Sequence, residues 1–213
     1  MQRTQFVKPE EIEKRSMEII QKELGERTFP EPEYSVIRRC IHTSADFDYA
    51  DNLMFSPHAV RQALQAIQDG AHIVTDTNMA KSGINKKILA KFGGEVHCFV
   101  AEPDVAAEAK QRGVTRSTVS MERAAKLHVP LIFAIGNAPT ALIQLEKMIA
   151  AGQLHPELIV GVPVGFVNVV ESKERIMQAG VPYIVARGRK GGSNVAASII
   201  NALLYQLVQR EGF

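Results

Sequence analysis

PLIFAIGNAPTALIQLEKMIAAGQLHPELIVGVP, residues 130–163, is the stretch on which the fold turns. Residues 130–136 and 157–163 are short, apolar on both faces and rich in Ile, Leu and Val, the pattern of buried strands. Between them, Thr140 to Ala151 carries a helical pattern. Strand, crossover helix, strand is the unit of a parallel sheet covered on both faces.

The same rhythm continues outward. Upstream, HIVT (72–75) and EVHCFV (95–100) have strand character, and NKKILAKF (85–92), Asp104 to Arg112 and VSMERAAKL (119–127) have helical character. Downstream come a helix from Asn168 to Ala179, the strand PYIVARG (182–188) and a helix from Ser193 to Arg210. Asn168 and Glu171 stand as a capping-box-like pair at the first of these helices. In DFDYADNLMF, Phe47, Tyr49, Leu53 and Phe55 offer strand positions, and Ser56-Pro57 starts a helix that stops at Gly70. Two further helices precede this, from Pro9 to Leu24 and from Glu31 to Thr43. The expectation is one α/β domain over residues 1–213. A single doubly wound, mostly parallel sheet with helices on both faces would occupy 46–213, preceded by N-terminal helices in 1–45.

Composition agrees with a globular protein. Of the 213 residues, 46% are apolar and 23% charged, enough to bury a core without staples. A formal charge of +2 gives no argument for a nucleic-acid or membrane partner. No apolar run of about 18 residues is present, so no spanning helix is expected. MQRTQFVKPEE lacks the apolar segment of a secretory signal. Cys40 and Cys98, the two cysteines, fit free core thiols in a reducing compartment, and the expected location is cytoplasmic.

Helical phase singles out one histidine. Val36, Ile37, Cys40 and Ile41 form one apolar stripe on the Glu31–Thr43 helix. At roughly 100° per residue, His42 projects almost opposite that stripe, with Arg38 one turn earlier on the same side. His42 is therefore expected to face solvent, a partner subunit or a cavity, and it can give and take a proton near neutral pH. On the first helix, Ile12, Ile19 and Ile20 make a stripe that also holds Ser16, as a packing hydroxyl or as a cavity contact.

Ligands of open α/β sheets bind beyond the carboxyl ends of the strands. Here those ends lead into Asp76-Thr77-Asn78-Met79-Ala80-Lys81-Ser82-Gly83, Asn137-Ala138-Pro139-Thr140, Val164-Gly165-Phe166, and Arg187 through Asn194. The last loop, RGRKGGSN, combines three cations and three glycines at a helix start, which suits a carboxylate or phosphate better than a plain solvated turn. Lys110, Arg112 and Arg116 form another basic group, either a solvated face or, through Arg116, a carboxylate clamp. GxxxxGK[ST], GxGxxG, GxSxG and HExxH are all absent. His72 and His97 sit in strands, where structural roles are expected; His58, His128 and His155 each neighbour a proline and suit the surface. No His pair at i, i+4 exists, and no protein metal site is expected.

Taken in order, several blocks resemble the precorrin-8X (cobalt-precorrin-8) methylmutase family of corrin biosynthesis. They are IEKRSMEII (12–20), IHTSADFDYADNLMFSP (41–57), TDTNMAKSGI (75–84), IGNAPTAL (135–142), VGVPVGFVNVVESK (160–173) and RGRKGGSNVAASIINAL (187–203). The resemblance implies an isomerase that moves a methyl group from C-11 to C-12 of the macrocycle, without an external cofactor. It implies a flavodoxin-like fold and a homodimer with the site near the subunit boundary. His42 corresponds to the family's catalytic histidine. The matched blocks place Ser16, Arg116, Arg187 and Lys190 as candidates near substrate carboxylates, and Thr77, Met79, Ser82 and Gly83 as candidates lining the ring pocket; Arg38, on the same side of its helix as His42, is a further substrate-binding candidate. Two other readings stay open: a non-catalytic corrinoid or tetrapyrrole carrier, which would leave the methyl in place, and a nucleotide-binding α/β enzyme, which lacks both common phosphate fingerprints.

Overall fold

The computed structural model describes Lys8 and residues 11–208. In chain order the elements are α1 (Ile12–Leu24), α2 (Glu33–Ser44), α3 (Tyr49–Asn52), β1 (Leu53–Phe55), α4 (Ala59–Gln68), β2 (His72–Thr75), α5 (Asn78–Gly83), α6 (Lys86–Leu89), β3 (Val96–His97), α7 (Pro103–Arg112), α8 (Arg116–Ala124), β4 (Leu131–Ile135), α9 (Pro139–Ala150), β5 (Leu158–Gly161), α10 (Val169–Met177), β6 (Tyr183–Ala186) and α11 (Ser193–Leu207).

The strands form one sheet in the order β1-β6-β5-β4-β2-β3. Its neighbours run parallel except for β1, which pairs antiparallel with β6 through Leu53↔Ala186 and Phe55↔Ile184. Strand periodicity divides the interior into two layers. In β4, Ile132 and Ala134 pack toward α2, α4 and α11, while Leu131, Phe133 and Ile135 pack toward α8, α9 and α10. Fully burying a side chain such as Phe133 contributes about 1.5–3 kcal/mol. Both layers are closed by helices, which is why the strands carry apolar residues on both faces.

Helix α11 is apolar around its whole circumference and buried from Val195 to Tyr205. Helix α2 runs antiparallel along it. Gln206 donates to the Pro32 carbonyl at 3.4 Å near one end, and Cys40 Sγ lies 3.8 Å from Ser198 Oγ near the other. Helix α1 lies antiparallel to α2, tied by Arg39–Glu13 at 2.5 Å and by Tyr34 donating to Gln21. Its buried residues are Met17, Ile20 and Leu24, so the stripe differs from Ile12, Ile19 and Ile20; Ile12 and Ile19 are exposed. Pro9, Glu10, Gln209 and Arg210, expected at helix ends, lie outside the described residues.

Other departures have local causes. The Thr115 hydroxyl accepts from the Thr118 N–H and starts α8 at Arg116, three residues earlier than the apolar pattern implies. Thr77 caps Ala80 in the same way, making a short helix of what the sequence presents as loop. The 85–92 helix breaks into α6 and a 3₁₀ turn over Ala90–Phe92. Only Val96 and His97 of 95–100 pair as strand, and of the 47–55 segment only Leu53–Phe55 does. Asn168 sits at φ 57° and makes no side-chain cap bond, so the expected Asn168–Glu171 capping pair does not form.

Candidate functional site

Antiparallel packing on α11 carries the end of α2 to the carboxyl rim of the sheet. Cys40 meets the second turn of α11, and Asp46 and Asp48, just past α2, both pair with Lys190 at 2.6 Å. His42 lies between these two anchors. The apolar stripe is as expected: Val36, Ile37, Cys40 and Ile41 are buried, and Arg38 and His42 are half-buried on the other side.

His42 lines a cleft of about 410 Å³ together with Ser16, Ile19, Ile20, Ile41 and Phe47. No described residue hydrogen-bonds its ring. Burial lowers its pKa below the ordinary value, the Arg39 guanidinium lowers it further, and Glu13 partly opposes both. The cation that opposes the imidazolium is thus Arg39. Arg38 instead lays its guanidinium 4.7 Å from the centre of the Tyr34 ring, and its buried Nε has no partner among the described residues. The Ser16 hydroxyl donates to the carbonyl of Ile12 at 2.9 Å, one turn back on its own helix, while its side chain still borders the cleft.

A second group forms where α5 meets α11. Thr77 Oγ1 lies 2.7 Å from Ser193 Oγ. Gly83 touches α11 so closely that a Cβ there would come within 2.9 Å of Ala197 Cβ, and its carbonyl accepts from Asn201 at 2.8 Å. Ser82 is exposed, and Met79 is 70% exposed at the rim. Beneath Thr77, the buried Asp76 carboxylate accepts from the N–H groups of Gly136, Asn137 and Ala138 at 2.9, 2.8 and 2.6 Å. That carboxylate binds the ends of β2 and β4 together; burial raises its pKa and the three N–H donors counter this.

The glycine-rich loop is held from below. Lys173, fully buried, donates from Nζ to the carbonyls of Gly188 and Lys190 at 2.8 and 2.9 Å, and burial pushes its pKa down to about 8. The Gly192 N–H donates to Val162 O at 2.9 Å. A Cβ on Gly191 would fall 2.0 Å from that same oxygen. These glycines therefore close the loop onto β5 rather than turning every N–H outward. Two of the three loop cations are also engaged: Arg187 with Glu174 at 3.2 Å, and Lys190 with Asp46 and Asp48. Arg189 stacks 5.5 Å from the centre of the Phe166 ring, which is 81% exposed, and makes no ion pair among the described residues. Arg116, exposed at the first turn of α8, is brought to the rim by Thr115, whose hydroxyl donates to Thr140 at 3.0 Å.

The chain therefore gathers Ser16 and His42 in one cleft and Thr77 and Gly83 on the neighbouring α11 surface. Arg187 and Lys190 stand in ion pairs at the rim. Asp76 and Arg189 stood in the rim loops without a role of their own, and Lys173 escaped sequence reasoning. A charged residue directly after a strand was a usable signal for Asp76; a lysine within a helical pattern gave none for Lys173.

The precorrin-8X methylmutase family model matches residues 11–206. The chain belongs to that family. It is 42% identical over 205 residues to the cobalt-precorrin-8 methylmutase of Priestia megaterium, covering 94% of this chain and 91% of the relative. Identity to the Salmonella typhimurium cobalt-precorrin-8 methylmutase is 45% over 208 residues, covering 93% and 96%. The crystal structure of the Thermus thermophilus precorrin-8X methylmutase superposes with a TM-score of 0.86 at 39% identity, covering 93% of this chain and 98% of that one. Methylmutases are isomerases, and the chain is an enzyme of that kind.

Proposed function

We propose that the chain moves a methyl group from C-11 to C-12 of the corrin macrocycle, converting precorrin-8X or its cobalt form to hydrogenobyrinate or cobyrinate. The observation that carries this is the position of His42: a half-buried imidazole with no hydrogen bond among the described residues, at the carboxyl rim, in a cleft lined by Ile19, Ile20, Ile41 and Phe47 and also by Glu23. The apolar side chains suit the face of a macrocycle, and the imidazole would meet its edge. His42 donates a proton or hydrogen bond to the ring-C region as the methyl shifts. Substrate carboxylates favour the imidazolium, offsetting the burial and the Arg39 charge that disfavour it. Arg38, whose Nε has no partner among the described residues, and Arg116 meet acetate and propionate arms, and Arg187 and Lys190 exchange partners or steer. Thr77, Met79, Ser82 and Gly83 border the ring. Any cobalt is held by the macrocycle as part of the substrate.

The five parallel strands, counted from β2, run 2-1-3-4-5, which supports a flavodoxin-like, doubly wound class with residues 1–213 as one unit. Exposed Ile12 and Ile19 beside the cleft support a homodimer that completes the site. Free, buried Cys40 and Cys98 suit a cytoplasmic setting. The test is turnover of precorrin-8X by the native chain and by His42→Ala, reading the methyl position by NMR. A native chain that binds the corrinoid and leaves the methyl at C-11 is a carrier. A His42→Ala chain that works at the native rate overturns the acid role.

A further inference from the structure

Strand register assembles three potential ligands that lie far apart in sequence. In the parallel β2–β3 pair, Ile73 faces Val96 and Val74 faces His97. One step back, His72 comes beside Glu95, whose carbonyl accepts from the Ile73 N–H at 2.8 Å. Alternation puts Glu95 and His97 on one face of β3, and His72 shares that face from β2. His72 Nδ1 lies 2.8 Å from His97 Nε2, and one ligand atom from each of the three residues lies within 4.8 Å of the others. The imidazole planes lie within 13° of each other with centroids 5.1 Å apart, so the rings meet edge to edge, and the near-parallel Phe99 ring has its centroid 5.9 Å from that of His97.

We propose that His72, Glu95 and His97 form a binding site for a divalent transition-metal ion of Zn²⁺ character, separate from the His42 cleft. Two imidazole nitrogens and one carboxylate oxygen are the donor set that Zn²⁺ takes in open tetrahedral sites, with water in the fourth position. The nitrogen donors disfavour Mg²⁺ and Ca²⁺, which demand oxygen. With Zn–N bonds of 2.0–2.1 Å, two nitrogens at a tetrahedral ion stand roughly 3.3 Å apart. The imidazoles need open by only about half an ångström from their present contact, the ion replacing the proton they share. Both histidines are half-buried and Glu95 is exposed, so the ion has an entry path and a partly enclosed seat. Ligand spacing along the chain could not reveal the site, because its ligands meet only across two strands. A bound ion would clamp β3, a two-residue edge strand, to β2.

The test is a calorimetric titration of the full chain, stripped of metal, with Zn²⁺ alone, and a thermal melt with and without the ion. One Zn²⁺ per chain, a higher melting temperature in Zn²⁺ and no shift in Mg²⁺ are expected. His97→Asn should weaken binding at least 10-fold, and the exposed Glu95→Gln should weaken it less without disturbing the fold. Methyl transfer by stripped protein and by both variants should be unchanged. The proposal is overturned if the native chain binds no Zn²⁺, or if His97→Asn and Glu95→Gln both bind it as tightly as the native chain.

Discussion

Helices α2 and α11 lie against each other and treat their polar residues in opposite ways. On α11, Ser193 pairs with Thr77, Ser198 donates to Val195 O at 2.9 Å, and Asn201 both accepts from the Asn85 N–H and donates to Gly83 O at 2.8 Å. Each of these polar groups is answered within the chain. On the outward face of α2, the Arg38 Nε and the His42 ring find no hydrogen-bond partner among the described residues. Buried polar groups cost about 1–3 kcal/mol when left unpaired, so a face that tolerates them points to a ligand or partner that answers them. Satisfied polarity marks the scaffold, and unsatisfied polarity marks the place where the chain meets something else.

The sharpest way to break this contrast is His42→Ala. It should lower kcat about 10²–10⁴-fold, or about 2.7–5.5 kcal/mol of barrier, with an unchanged melting temperature. A variant that loses stability instead would move His42 into the scaffold. The converse is Asn201→Ala, which strips a buried pair of hydrogen bonds and should cost about 1–3 kcal/mol in denaturant unfolding while leaving kcat intact. Lys173→Met tests the layer between. It orphans the Gly188 and Lys190 carbonyls, should destabilise by about 2 kcal/mol, and should raise KM more than it lowers kcat because the basic loop loses its anchor.

A pH profile sharpens the contrast further. His42 has a lowered pKa in the free chain, so activity that needs imidazolium is present below that pKa and is lost as pH rises through it. The limb in kcat/KM, which reports the free enzyme, should therefore fall below 6.5, and the limb in kcat should lie higher because substrate carboxylates favour the charged form. Coincident limbs would remove the substrate's electrostatic role. The smallest effect belongs to Ser16→Ala. Its hydroxyl already donates to Ile12 O, so stability should change by less than about 0.5 kcal/mol and turnover by no more than about threefold.

What the sequence made legible was whatever depends on local pattern. The buried runs of β4 and β5 and the helix between them were fixed by apolar content, Pro130 and Gly136. The placement of His42 opposite its stripe followed from helical phase alone. What stayed hidden depends on contacts between distant segments. The engagement of Lys190 by Asp46 and Asp48 spans more than half the chain, and the gathering of His72, Glu95 and His97 requires the β2–β3 register. The orientation of α1 was misjudged for a similar reason: Met17 and Leu24 turn inward because α2 lies there, which no property of α1 by itself discloses.

The Lys190 link to Asp46 and Asp48 has a meaning for how this protein can change over generations. Exposed ion pairs add little to stability, so selection on folding alone would let either side drift. Yet the two acidic residues directly follow the helix that carries His42, and the lysine sits in the basic loop. A charge reversal at 190 alone would set like charges against the turn that follows the histidine's helix, so positions 46, 48 and 190 are expected to change together. A lineage that altered the loop to suit a different carboxylate pattern would have to rewrite the turn after His42 in the same step.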